Sequence, residues 1–203
     1  MFGIVRIIAG ILIGAILLAF LCRYKKVNRW MKVSIVVFVI AFITAAAFVP
    51  VENTFYCFES AEDVYKYYLS GETRTDLVIE GEYADFVVGA RNGIRTYLIA
   101  PKTENGWKLA MGKDTRKIAR SFSEGISVDV YQYKDTDDYF IAVLDTNGGT
   151  SDISGDGSTV FYPLAETNDA LDKTYVTYYA YIRGWNPQYR LTVNGVEIPW
   201  NNW

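Results

Sequence analysis

The stretch DFVVGARNGIRTYLI, residues 85–99, decides the fold. Apolar and polar residues alternate with a period near two on each side of Asn92-Gly93. A two-residue Asn-Gly connection is the favoured turn of a tight β-hairpin, because both positions tolerate a positive φ. The stretch therefore predicts two antiparallel strands, Asp85–Ala90 and Ile94–Ile99.

The same pattern continues downstream. Short strand-like runs cover Asp76–Ile79, Trp107–Met111, Arg116–Phe122, Ser127–Tyr133, Tyr139–Leu144, Thr159–Leu164, Tyr175–Arg183, Tyr189–Val193 and Val196–Ile198. Turns rich in Gly and Asn separate them, including Asn105-Gly106 and Asn194-Gly195. Such spacing predicts a mainly antiparallel β domain: a sandwich, an open barrel or an α+β roll. The polar, glycine-rich segment Asp145–Ser158 reads as a loop.

One short helix precedes the strands. Ser60 suits an N-cap, Glu62 and Asp63 complement the first turn, and Gly71 suits a stop. About ten residues cannot stand alone as a helix, so it should pack on the sheet.

The N-terminal quarter has a different composition. Residues 1–51 contain six basic residues (Arg6, Arg23, Lys25, Lys26, Arg29 and Lys32) and no acidic one. Residues 52–203 hold all 23 acidic residues and a net charge of −9. Two apolar segments, about 2–22 and 33–51, flank the basic connection 23–32. Each has about 20 residues, enough at ~1.5 Å per residue to cross a hydrocarbon core. The expectation is a two-helix transmembrane hairpin with a cytoplasmic turn, since basic loops stay inside. The protein would be a two-pass protein of the cell membrane, with 52–203 as an extracytoplasmic, extracellular domain. Gly10 and Gly14 form a GxxxG, suited to packing within the hairpin or to an oligomer. A rival reading is export-signal cleavage, at the Ala45-Ala46-Ala47 run or before a lipidated Cys22. The layout resembles that of membrane-anchored proteins of Gram-positive bacteria, a likeness of plan rather than of motif.

Chemistry is constrained more by what is missing. The chain has no histidine. This removes a His-based nucleophile and His-ligated zinc. No Walker or dinucleotide glycine motif is present. The acidic domain excludes a phosphate-tracking nucleic-acid surface. Asp135, Asp137 and Asp138 fall in the hairpin tip YKDTDDY and read as solvent-facing turn residues. No enzyme is expected, although a carboxylate-dependent envelope hydrolase is the alternative. Asp152, Ser154 and Asp156, followed by Gly157, match the opening of a calcium loop. Position 12 of that pattern is Pro163 rather than Glu, and an acidic surface loop would look the same. If the match is real, calcium would stabilise the domain structurally; otherwise no cofactor is expected. Cys57 reads as a small buried hydrophobe.

Aromatic residues crowd the last thirty positions. Tyr179, Tyr181, Trp185, Tyr189, Trp200 and Trp203 are the candidate partner-binding set. Exposed, they would stack on a cell-wall glycan or anchor a protein partner; turned inward, they would be core. The functional expectation is a membrane-tethered binding or interaction module: an accessory subunit, immunity or sensor protein of a bacterial envelope system.

Overall fold

The computed structural model describes residues 10–17, 19, 23, 28–48, 50–69, 71–147, 150–157, 159–168 and 173–202. Residues 10–17 are helical. Helix α1 spans Arg29–Phe48. A 3-10 turn follows at Val51–Thr54, and α2 spans Ala61–Tyr68. Ser60 caps α2: its hydroxyl accepts the Asp63 amide at 3.1 Å.

The first helical segment and α1 lie against each other. A Cβ on Gly10 would sit 2.9 Å from Ile43 Cγ1, and one on Gly14 would sit 2.8 Å from Val39 Cγ1. The GxxxG thus faces α1 of the same chain. The expected transmembrane hairpin is nevertheless corrected. Among the described residues no helix is long and apolar enough to cross a membrane. Two features shorten α1. It begins inside the basic connection, so Arg29 and Lys32 occupy its first turn. It also ends at Phe48, with Pro50 and the 3-10 turn beyond. The apolar run Val33–Phe48 then rises about 24 Å, short of a hydrocarbon core of ~30 Å. The two-pass location with an extracellular C-terminal domain is withdrawn with it. Many apolar side chains of the pair face outward, with Ile16 67%, Phe38 71% and Trp30 78% exposed.

The rest of the chain is a stack of antiparallel sheets. The first sheet has the order β1 (Thr73–Glu80), β2 (Ala84–Arg91), β3 (Ile94–Thr103), β4 (Gly106–Trp107). The second has six strands in the order β13 (Asn201–Asn202), β5 (Thr115–Ser123), β6 (Ile126–Tyr133), β7 (Asp138–Asp145), β10 (Lys173–Arg183), β9 (Tyr162–Asn168). The third is small: β12 (Val196–Glu197), β11 (Leu191–Val193), β8 (Ile153–Gly155). The β2–β3 hairpin turns on Asn92 (φ 50°) and Gly93 (φ 77°). Asn194-Gly195 turns β11 into β12 with φ values of 52° and 79°.

Side-chain alternation assigns the layers. Val87 of β2 and Ala100 of β3 join Val64 and Tyr65 of α2 in one cluster. Phe86, Val88 and Ile99, on the opposite face, meet Tyr131, Phe140 and Tyr179 of the second sheet. Val130, Ile141, Val143 and Tyr178, on the far face of the second sheet, meet Leu191 and Val193 of the third. The order is therefore helix, sheet, sheet, sheet, with three apolar interiors. The sandwich expectation holds for the β domain, with a third sheet added. The six-stranded sheet is covered on both faces, so the burial along β6 and β7 is nearly continuous.

Candidate functional site

A seam runs along the open side of the domain. β1 is the outer strand of the first sheet and β9 the outer strand of the second. Two clefts follow one another along this seam. One, of about 420 Å³, is lined by Glu72, Arg74, Asp76, Arg95 and Glu166. The other, of about 450 Å³, is lined by Val78, Ile79, Glu80, Val160, Tyr162 and Tyr181. The seam is thus lined mainly by charged side chains at one end and by aliphatic and tyrosine side chains with one glutamate at the other.

The charged end is internally paired. Arg74 Nε lies 2.6 Å from Asp76 Oδ1, and Arg95 Nε lies 3.1 Å from Glu166 Oε2. Arg95 also donates to the Ala165 carbonyl at 3.2 Å, clamping β3 to β9. Among the described residues a second Arg95 nitrogen, Nη1, is buried with no hydrogen-bond partner. Among the described residues neither Glu72 nor Glu80 forms an ion pair. With the two arginines neutralised by Asp76 and Glu166, the seam keeps a net negative charge.

The second cleft is braced from beneath by Asp138. This side chain is fully buried. Its Oδ1 accepts the Glu82 amide at 3.0 Å, and its Oδ2 accepts the Tyr83 and Ala84 amides at 2.6 and 2.9 Å. These amides belong to the turn between β1 and β2. Tyr181, which lines the cleft, donates its hydroxyl to Asp138 Oδ1 at 2.9 Å. Burial, and then that hydrogen bond to an anion, push the Tyr181 hydroxyl up to about 12. Gly81 sits against the same carboxylate, 2.8 Å from Oδ2 to where a Cβ would stand. Asp85 holds the other side of the turn: its Oδ1 accepts the Gly81 amide at 3.2 Å and pairs with Lys102 Nζ at 2.8 Å. Trp107 Nε1 donates to Asp85 Oδ2 at 2.7 Å. Both carboxylates spend their lone pairs on holding the turn.

A pair of tyrosines also joins the two sheets. Tyr97 donates to the Tyr131 hydroxyl at 2.9 Å, which donates to Asp129 at 3.2 Å. Lys117 Nζ meets the same Asp129 oxygen at 2.8 Å. Burial raises the Tyr131 hydroxyl far above its usual range, so it stays a neutral donor.

The candidate aromatics divide between two interiors. Tyr179 (3% exposed) packs with Phe86 and Phe140 between the first and second sheets. Tyr181 is beside it and reaches the seam. Tyr189, Trp185 and Trp200 gather on the other side of the second sheet, with ring centroids 5.8 Å apart for Trp185 and Trp200. Trp200 Nε1 donates to the Tyr189 carbonyl at 2.5 Å. Among the described residues the buried Trp185 Nε1 has no hydrogen-bond partner. Trp203 lies outside the described residues.

Asp152, Ser154 and Asp156 are exposed; Ser154 lies in β8 and the two aspartates flank it, so the segment is extended rather than wrapped around a point. Asp156 Oδ2 accepts the Arg190 amide at 2.8 Å, and the Asp152 amide donates to Asn194 Oδ1 at 2.9 Å. Among the described residues no three His, Cys, Asp or Glu side chains group to hold a metal ion. Cys57 is a half-buried free thiol.

Sequence reasoning did not select Glu72, Arg74, Glu80, Arg95 or Tyr162. An edge strand is defined by what fails to pair with it, which a single strand's pattern does not carry. One signal was available: Pro163 inside Thr159–Leu164 marks an edge, because it cannot donate to a ladder. No protein-family model, curated protein or solved structure matches this chain.

Proposed function

We propose that this protein is an interaction module that takes a polypeptide partner along the seam between β1 and β9. The observation that carries the reading is the coincidence of two clefts with the edge of β1, which among the described residues pairs with β2 alone. Exposed strand edges and adjoining apolar clefts are a recurring recognition surface. The polar groups around the seam favour binding over catalysis. Asp85 and Asp138 are saturated by amides, an indole and a lysine, and hold a turn rather than a reacting atom.

Site-specific photo-cross-linking in intact cells tests this. A photoreactive amino acid at Tyr162 or Val160 should give discrete protein adducts. The same group at Phe122, 71% exposed on β5, should give none of them. Equal adducts from all three positions, or none from Tyr162 and Val160, would sink the reading.

A further inference from the structure

We infer that the occupant of the seam is an extended peptide that adds as a strand to β1 over Leu77–Glu80 and carries a basic side chain opposite Glu80. This rests on the interaction reading above and specifies its ligand. The backbone provides the first argument. In an antiparallel pair, alternate residues direct their N–H and C=O groups away from the partner strand. β1 pairs with β2 on one side, and among the described residues no strand lies on its other side. The outward groups of β1 are therefore available to a further strand.

The register argument narrows the place. The ladder between β1 and β2 shifts between Thr75 and Leu77. Such a bulge twists an edge and hinders continuation of the sheet. Leu77–Glu80 lies beyond it and pairs regularly with Asp85–Val88. The opposite wall, β9, is blunted by Pro163 and cannot offer a continuous ladder. Strand addition therefore falls to β1, and β9 supplies side-chain walls.

The cleft beside that segment sets the side-chain preference. Val78, Ile79, Val160, Tyr162 and Tyr181 line a cleft of about 450 Å³ together with Glu80, so apolar side chains and polar groups share its walls. An added strand projects alternate side chains to one face, so one apolar residue enters the cleft and its neighbours point away. Glu80 is exposed at the end of this segment. At the charged end Glu72 is also outside any ion pair among the described residues, while Arg74 and Arg95 are paired. Charge complementarity therefore selects Lys or Arg in the peptide, not Asp or Glu.

The probe is a display library of random decapeptides panned on the full chain. Enriched sequences should share an apolar residue directly next to a Lys or Arg, because Ile79 and Glu80 present opposite faces of β1. The top peptide, made synthetically, should slow hydrogen exchange at Leu77–Glu80. N-methylation of one alternate set of its amides should weaken binding at least tenfold, and of the other set less than twofold. Glu80→Lys should reverse the preference toward Asp and Glu while leaving the fold intact. Equal tolerance of both N-methylated sets would overturn strand addition but leave a cleft-binding partner standing. Enrichment that ignores Glu80→Lys would overturn the basic side chain. No enrichment over a control scaffold would overturn the inference outright, and with no adducts from Tyr162 the interaction reading falls too. A concentration-dependent dimer that protects the same amides would assign the edge to a second copy and overturn the peptide assignment.

Discussion

At the residue scale, Asp138 ties the start of β7 to the turn between β1 and β2. Its neighbours Asp135 and Asp137 sit in the same polar tip, and Asp135 is indeed exposed and pairs with Arg116 at 2.8 Å. Asp138 begins β7, turns inward and organises a turn that lies 54–56 residues earlier in the chain. Replacing it with Ala strands three amides and one hydroxyl in the interior. The expected cost is about 3 kcal/mol of unfolding free energy, since each unmet buried donor is expensive. Asp135→Ala should cost under ~0.5 kcal/mol, as exposed pairs contribute little. Urea denaturation of both variants checks the contrast. Tyr181 gives the matching pH effect. Its folded pKa of about 12 lies above the ordinary tyrosine value near 10. The protonated hydroxyl therefore stabilises the fold fully below pH ~10, and that contribution fades as pH rises through about 12. Tyr181→Phe should flatten the loss of stability in that window, measured by denaturation at stepped pH. An unchanged slope would place the Tyr181 hydroxyl in a less protected setting than the Asp138 hydrogen bond implies.

At the element scale, the helical pair depends on small residues. Gly10 and Gly14 let α1 approach until Ile43 and Val39 fill the space a side chain would need. Gly14→Leu should force the helices apart and cost about 1–3 kcal/mol, an overpacking penalty. Loss of helical circular dichroism at lower denaturant, with β signal retained, is the expected readout. The same scale shows which elements were legible. Asn92-Gly93, Asn194-Gly195 and the Ser60 cap each carry their own local chemistry, and each forms where the sequence placed it. The sequence of β8 predicts a loop, because Ile153 is its lone apolar residue. Its strand character comes from pairing with β11, not from its own pattern. The second expected span fails for a related reason. The apolar run extends from Val33 through Val51, but α1 spans Arg29–Phe48 with two basic residues in its first turn, and a 3-10 turn takes Val51.

At the scale of the whole molecule, the second sheet is the keystone, because both its faces are interior. This is why the aromatics of β10 could not be sorted by alternation. Tyr179 and Tyr181 face one interior and Tyr178 the other, so period two was correct while exposure did not follow from it. The seam was illegible for the complementary reason: it exists only once β1 and β9 are known to end their sheets. A sheet clasped on both sides also predicts how the domain unfolds. Phe140 and Val143 are fully buried in β7 and belong to opposite interiors. Phe140→Ala should cost about 3–5 kcal/mol and Val143→Ala a smaller amount near 2 kcal/mol. If the layers act as one unit, each substitution lowers the same single transition. Trp107 reports on the helix-facing interior, whereas Trp185 and Trp200 report on the interior under the third sheet. Single-tryptophan forms of each variant should therefore give coincident urea midpoints. A Trp107 transition that stays at the wild-type midpoint in Val143→Ala would mean that the third sheet and its interior melt separately, and that the second sheet does not couple its two faces.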